Sequence, residues 1–512
     1  MATLCPRSAL LAAALVCCAT RVATTAAAPR GWNSYPSTGA AIDEITTLAT
    51  ADYMARFLTP YGYNVLFLDE GWAKRDGEIL FDEWGRPRPN TAMYPSAVNG
   101  VGMARLAQAL RGRGIELGLW VIRGVPRRAV SSFLPVWGSA TNATLADAVR
   151  FDKPCFWSVS CYGSNYPSAA ASDYYASVAA LLKSWGVRHV KADCFFPNMP
   201  VGSSTQPNGY FDNDVDGFGR AMAAENISVM FSPGISVTVA NASYLTQTRY
   251  CATFRITEDL WDLWSSSGDG TFPSGVRQKL DKAEEFAPFI GVGGSFPDLD
   301  MLPFGSVFHA SKERGVYGPA SPTRLTHDEQ ITAMTLWCMA RSPLILGARL
   351  PLDPQDQFTL QLVTNPEILY LQNSTSGNAP ISPIGAPANS QHAWTARPAV
   401  CPGEALPGRC ILLALFNAGE VESNVSVDLP AEVLASELPL CARDLWSRQP
   451  LAFVGNAQPG LFTQMLPAHG AGAYLLWRTA ARSTSSGALN STSHACGTGA
   501  DIFGEQVVMF RR

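Results

Sequence analysis

Between residues 31 and 350 the chain alternates short apolar runs with stretches of helical periodicity. Asn64-Val65-Leu66-Phe67-Leu68-Asp69 is apolar on both faces, the pattern of a strand buried in a parallel sheet. Residues 103–113 have helical periodicity, Gly114 stops them, and residues 115–122 read as a strand. Residues 174–185 form an apolar-periodic helix closed by Gly186, followed by a strand over 187–193. Further strands are predicted at 227–231, 252–256 and 343–346. Strand followed by helix, repeated, implies a parallel sheet. About eight such units over roughly 250 residues or more is the size of a (β/α)8 TIM barrel. The α/β barrel is therefore expected over residues 29–350. A doubly wound open sheet is the alternative, but no Gly-x-Gly-x-x-Gly follows the first strand, which disfavours a dinucleotide fold.

After Leu350 the texture changes. Residues 365–400 read as loop, rich in Pro, Ser and Asn. Strand-like runs follow at 410–417, 421–429 and 472–477, separated by turn residues. They predict a small antiparallel β-sandwich domain over residues 351–478. Residues 479–512 begin with a stretch rich in Ser, Thr, Gly and Ala and read as a disordered tail.

The first 28 residues have the form of a secretory signal. Arg7 is a basic n-region, residues 9–19 are an apolar core too short for a bilayer, and small residues at 23–28 offer cleavage sites. An organelle transit peptide is the weaker reading. No later run has the roughly 18 apolar residues of a transmembrane helix. The expected destination is the secretory pathway, ending extracellularly or in a vacuolar or lysosomal compartment. Asn-x-Ser/Thr sequons at Asn142, Asn226, Asn241, Asn373, Asn424 and Asn490 agree with that route.

Composition narrows the function classes. The 512 residues are 47% hydrophobic, enough for a large core, and carry a net charge of −4. That balance argues against nucleic acid, which needs a basic patch. Thirteen Trp and fifteen Tyr offer faces for a sugar, although most such rings pack in cores. Six His and no Cys-x-x-Cys pair give no metal site, and nothing calls for a cofactor. Of 12 Cys, loss of the signal would leave nine, an odd number. Cys401 and Cys410 are spaced for a local bridge. Cys338, in an apolar run, reads as a buried free thiol.

The chemistry concentrates where strands end. Asp69 and Glu70 end the second strand, Asp193 the fourth, and Asp259 closely follows the sixth. Asp298 and Asp300 follow Gly293-Gly294-Ser295-Phe296-Pro297. A lone acid there is most simply an N-cap or half of a surface ion pair. Several of them, two accompanied by Lys191 and Arg255, point to an anionic pocket at the C-terminal face of a barrel, where barrel enzymes place their catalytic groups. Glycoside hydrolysis needs two carboxyl groups flanking a sugar.

These stretches resemble a known family. Gly31-Trp32-Asn33-Ser34-Tyr35, Leu68-Asp69-Glu70-Gly71-Trp72 and Val190-Lys191-Ala192-Asp193-Cys194 are similar to motifs of the α-galactosidase (melibiase) group, glycoside hydrolase family 27. So are Ser232-Pro233-Gly234, Arg255-Ile256-Thr257-Glu258-Asp259, Phe296-Pro297-Asp298-Leu299-Asp300 and Leu336-Trp337-Cys338-Met339-Ala340-Arg341-Ser342-Pro343. They stand in family order over residues 31–350. The nearest branch is the plant and bacterial one that includes β-L-arabinopyranosidase-like members. The resemblance implies a retaining exo-glycosidase acting on terminal α-D-galactosides, β-L-arabinopyranosides or both. It implies Asp193 as nucleophile and Asp259 as acid/base. Lys191, Arg255, Asp69, Glu70, Trp120 and Asp300 would contact the sugar, and Trp32 would wall it. Lys191 is expected to lower the pKa of Asp193 and keep it ionised. A non-catalytic sugar-binding protein on the same fold and a transglycosylase are the alternatives.

The chain also departs from the family pattern. Most α-galactosidases have Asp-Asp where this sequence has Asp69-Glu70, and they place the cysteine two residues after the nucleophile rather than at Cys194. Arg123 stands where they have an acid. The resemblance implies that Cys194 bridges to Cys155 or Cys161, with a free buried thiol as the alternative. β-L-Arabinopyranose has the shape of α-D-galactose without its hydroxymethyl group. Glu70, one methylene longer than Asp, could fill the vacated space. The competing expectation is that Glu70 is a tolerated variant in an ordinary α-galactosidase.

Overall fold

The computed structural model describes residues 27–479 apart from 156–157, 159, 196–209, 233–236, 267–273, 310–317, 386, 388–389, 404, 431–432, 434–439 and 452–459, together with Phe503. The proposed signal segment (but for its last two residues), Asn490, Pro233-Gly234 of one motif and nearly all of the C-terminal tail lie outside the described residues.

Eight strands form one parallel sheet: β1 (Arg30–Asn33), β2 (Val65–Leu68), β3 (Glu116–Ile122), β4 (His189–Asp193), β5 (Ser228–Ser232), β6 (Cys251–Arg255), β7 (Phe296–Asp298) and β8 (Leu344–Leu346). Their order is β7-β6-β5-β4-β3-β2-β1-β8, so strands adjacent in sequence are adjacent in space. The ring closes just beyond β7. There Leu302 donates its N–H to Ile345 at 2.8 Å and accepts from Gly347 at 2.9 Å. The fold is the expected (β/α)8 barrel.

Side chains alternate along each strand, because successive Cβ atoms point to opposite faces. Leu66, Leu68, Val190, Ala192, Val229, Phe231, Leu344 and Leu346 join the large core beneath the helices. The other parity gives Val65, Phe67, Met230 and Ile345, a small separate cluster. Gly118 in β3 belongs with them: a Cβ there would meet the Phe67 ring at 2.4 Å. Toward the C-terminal ends this same parity becomes polar, and the site is built from it.

The helices between strands include α1 (Glu44–Phe57), α2 (Ala104–Arg111), α3 (Ala169–Ser184), α4 (Tyr210–Ala224), α5 (Val239–Gln247), α6 (Val276–Phe286) and α7 (His327–Met339). α3 starts five residues before its apolar periodicity does. Ser168 sets that start by accepting from the Ala171 N–H at 3.2 Å.

Residues 365–400 correct the loop reading. They hold a helix, α9 (Pro366–Asn373), which follows α8 (Gln357–Thr364), and two strands, β9 (Thr375–Ile381) and β10 (Gln391–Pro398). Asn365 caps α9 and Pro366 occupies its first turn, so residues read as breakers mark a helix start instead. The chain continues with β11 (Ala405–Asn417), β12 (Ser423–Asp428), β13 (Leu440–Asp444), β14 (Gln449–Pro450), β15 (Leu461–Leu466) and β16 (Ala471–Thr479). β9-β10-β11-β16-β13-β14 form one antiparallel sheet, and β12 and β15 a separate pair. Ile411, Leu413 and Leu415 pack toward Val425, Val427 and Phe462 of that pair. Leu412, Ala414 and Phe416 on the opposite face join the core shared with the barrel. The six-stranded sheet is thus buried on both sides.

Cys194 bridges Cys155, with Cα atoms 6.0 Å apart, and Cys401 bridges Cys410. Cys441 is also disulfide-bonded. Cys161, the other candidate partner, is a buried free thiol packed beside the Cys155–Cys194 bridge, and Cys338 is free and buried as expected. Asn142, Asn226 and Asn424 are exposed. No helix among the described residues is long and apolar enough to cross a membrane.

Candidate active site

Asn33 of β1, Trp120 of β3, Lys191 and Asp193 of β4, Ser232 of β5, Arg255 of β6 and Asp298 of β7 share the inward parity, and Asp69 directly follows β2. Five of these line a cavity together with Asp300: Asn33, Lys191, Ser232, Arg255 and Asp298, with Phe67, Met230, Met301 and Ile345 as its apolar part. Of the strand-end acids expected from sequence, Asp298 and Asp300 line this cavity, while Asp69 and Asp259 pair with its cations Lys191 and Arg255.

Asp193 is held on both oxygens. The Trp120 indole Nε1 donates to Oδ2 at 3.0 Å, and the Cys194 backbone N–H donates to Oδ1 at 2.9 Å. Cys194 has φ +62°, a left-handed conformation, and its side chain is tied to Cys155. Burial pushes the Asp193 carboxyl above its ordinary pKa, against the downward pull of Lys191, Trp120 and Arg255. The expected depression by Lys191 is thus outweighed, because desolvation acts on the whole carboxylate while the Lys191 cation is shared. Its Nζ donates to Asp69 Oδ2 at 2.8 Å, and the Asn33 amide donates to the same oxygen at 3.0 Å. Burial works against charge on Lys191, but Asp69 and Asp193 outweigh it and keep the ammonium charged.

A second cluster gathers around Arg255. Its guanidinium donates to Asp300 Oδ1 at 2.9 Å, to the Thr257 carbonyl at 3.2 Å and to Asp259 Oδ1. The other Asp300 oxygen accepts from the Leu260 N–H at 2.7 Å. Asp300 is buried, so its carboxylate braces Arg255 and the Asp259 turn from behind. Asp259 is the open member, with 37% of its side chain exposed. Beneath this turn lies Lys279 of α6, fully buried, donating to Thr257 Oγ1 at 2.7 Å and to the Glu258 carbonyl at 2.6 Å. Burial drives its pKa down to about 7. Burial and then the Asp300 carboxylate push Asp298 up to about 6.

Glu70 lies on the turn after β2. Its carboxylate is paired with Lys74, whose ammonium stands 5.0 Å from the centre of the Trp120 ring. The Trp120 carbonyl accepts from the Trp72 indole at 2.8 Å. Arg123 takes no part in this cavity: it pairs with Asp214 of α4 at 2.7 Å, both buried.

Trp32 is a correction. It has the outward parity of β1, is 1% exposed, and donates its indole N–H to the Ala348 carbonyl at 2.6 Å inside the main core. It walls no sugar. Its neighbour Asn33 is the inward residue, and Tyr35, half-buried just beyond the strand end, is the ring nearest in sequence to the mouth. Sequence reasoning missed Asn33, Lys279 and Ser232 as participants. Their position as the last residues of strands is the signal that could have found Asn33 and Ser232. Nothing local marks Lys279, which is 20 residues from the turn it supports.

Comparison with known proteins agrees with this fold. No protein-family model matches the chain. The β-L-arabinopyranosidase of Geobacillus stearothermophilus, a family GH27 enzyme, superposes with a TM-score of 0.75 at 28% identity, covering 90% of this chain and 98% of that one. The chain is thus similar to α-galactosidases and to a β-L-arabinopyranosidase of glycoside hydrolase family 27. The α-galactosidase of Cyamopsis tetragonoloba is 23% identical over 360 residues, 68% of this chain. The match spans 65% of that enzyme and only 36% and 34% of the next two curated relatives. The α-galactosidase of Coffea arabica is 23% identical across 88% of this chain and 93% of its own.

Proposed function

We propose that the protein is a retaining exo-glycosidase that hydrolyses terminal β-L-arabinopyranosides and α-D-galactosides, the former preferentially. The observation that supports this most is Asp193, a half-buried carboxylate held by two N–H donors at the end of β4, beside the cations Lys191 and Arg255 that line the cavity. A carboxylate stripped of water but oriented by fixed donors suits nucleophilic attack on an anomeric carbon. Asp259, more open and at the mouth, is the proton donor to the glycosidic oxygen. Water then enters, Asp259 takes its proton, and the C–O bond to Asp193 breaks, giving retention after two inversions. Asp69, Asn33 and Lys191 form a polar wall for ring hydroxyls, and Glu70 occupies the space a C6 hydroxymethyl group would need.

Similarity to α-galactosidases supports the reaction class, and the arabinopyranosidase neighbour supports the sugar. The disulfides at Cys155–Cys194 and Cys401–Cys410 support passage through an oxidising compartment, in keeping with the signal-like N-terminus.

The test is hydrolysis of p-nitrophenyl β-L-arabinopyranoside beside p-nitrophenyl α-D-galactopyranoside, with the first-formed anomer read by NMR. Asp193→Asn should lose at least about a thousandfold in turnover while still binding sugar. Turnover of neither substrate, or inversion, would defeat the reading.

A further inference from the structure

Lys74 opens a two-residue strand (Lys74–Arg75) that pairs with Glu78–Ile79 directly after the Glu70 turn. Its carbonyl accepts from the Asn90 amide at 2.9 Å, so the root of the side chain is fixed. Its ammonium meets the Glu70 carboxylate and the face of the Trp120 ring, 5.0 Å from the centroid. Trp120 in turn donates to Asp193 at 3.0 Å. The side chains of Lys74 and Glu70 are only 13% and 21% exposed. A pair this sheltered is held more firmly than a surface ion pair, and the cation over an indole face adds to it.

We propose that Lys74 is a specificity-determining positioning residue, which fixes the Glu70 carboxylate against the C6 side of the sugar while resting on the indole that holds the nucleophile. This rests on the glycosidase reading above and adds a residue to it. Glu70 alone has three rotatable bonds and could swing toward solvent, which would open the space that a hydroxymethyl group occupies. With one oxygen bound to Lys74, the carboxylate keeps a single orientation and its other oxygen is left to face a hydroxyl. A hydroxymethyl group arriving there meets a filled volume and a carboxylate already committed to a partner. The sugar lacking that group meets no obstacle. Discrimination of this steric kind, over one missing carbon substituent, is on the order of ten- to a hundredfold.

The experiment compares kcat and KM for the two p-nitrophenyl glycosides in the wild type, Lys74→Met, Lys74→Gln, Lys74→Arg, Glu70→Gln and the Glu70→Gln/Lys74→Met double variant, with Tm for each. Lys74→Met and Lys74→Gln should each lower the arabinopyranoside-to-galactoside ratio of kcat/KM by about tenfold, chiefly through KM. Lys74→Arg should restore the ratio. In the Glu70→Gln background Lys74→Met should leave the ratio where Glu70→Gln already put it. A ratio unmoved in a Lys74→Met or Lys74→Gln protein of wild-type Tm overturns the proposal, and so does a shift that persists undiminished in the Glu70→Gln background. Those outcomes leave the glycosidase reading standing. Wild-type protein that turns over neither glycoside removes both.

Discussion

Lys191 Nζ donates to Asp69 Oδ2 at 2.8 Å, so the cation encoded two residues before Asp193 is bound by the acid of another strand. β4 and β2 both flank β3, and their inward residues meet across it. Asp69 also accepts from Asn33 at 3.0 Å and, through its other oxygen, from the Glu70 N–H at 2.9 Å. Asp69 is therefore a junction between the ring-binding wall and the Glu70 turn.

Asp69→Asn should be costly in two ways. It leaves Lys191 charged and largely buried without its main counter-ion, a loss of about 3 kcal/mol in stability. It also frees the Lys191 ammonium to move toward Asp193, so kcat/KM should fall by two or more orders of magnitude, about 3 kcal/mol in the barrier. Denaturant unfolding and steady-state kinetics measure the two separately. An unchanged unfolding free energy would mean that the pair does not brace the barrel.

Asp298 sets a slope in the pH dependence of stability. Its carboxyl is raised from 3.8 to about 6 in the folded protein. The folded state then binds more protons than the unfolded state between those values. Its contribution is fully present below pH 3.8 and is lost as pH rises through about 6. Two units correspond to at most about 3 kcal/mol. Thermal unfolding of Asp298→Asn against wild type should show the variant gaining relative Tm from pH 4 to pH 7. A parallel pair of curves would refute this assignment.

Lys279 acts with the opposite sign. Its pKa falls from 10.5 to about 7 on folding. Its contribution is present above pH 10.5 and is lost as pH falls through about 7, where the buried amine must take a proton. Lys279→Met removes the hydrogen bonds to Thr257 Oγ1 and the Glu258 carbonyl that support the Asp259 turn. Turnover should drop roughly tenfold with KM little changed. The Tm deficit of the variant should be larger at pH 9 than at pH 6. A kcat equal to wild type would show that the turn holds itself.

The Cys155–Cys194 bridge closes a span of 39 residues and orients the Cys194 N–H toward Asp193. Cys155→Ser should cost up to about 4 kcal/mol by chain entropy. It should also lower kcat more than it raises KM, since the lost constraint lies behind the nucleophile. Mass mapping of the variant should show whether Cys161, packed beside the bridge, takes over Cys194. Wild-type kcat in a variant whose Cys194 is proven unpaired would separate the bridge from catalysis.

The barrel and the gathering of its acids were legible in the sequence, because a strand buried on both faces must be a continuous apolar run and an acid ending such a run needs a cation or a donor beside it. Asp69, Asp193, Asp259, Lys191 and Arg255 were all found that way or through family resemblance. The second domain was half legible. Its central strands are long and apolar, whereas β9 and β10 were hidden by Pro, Ser and Asn, and α9 by its own capping residues.

Other features depend on the parity and register of the strands, which no local pattern supplies. Trp32 and Asn33 are adjacent in sequence, yet one joins the outer core and the other the cavity, because one step along a strand reverses the face. The partners of Lys191, Asp300 and Lys279 lie 122, 45 and 22 residues away, brought together only when the ring closes. The choice of Cys155 over Cys161 and the upward shift of Asp193 belong to the same class. Bond geometry and desolvation are set by what surrounds a residue in three dimensions, whereas the identity and spacing of the chemical groups were written in the chain.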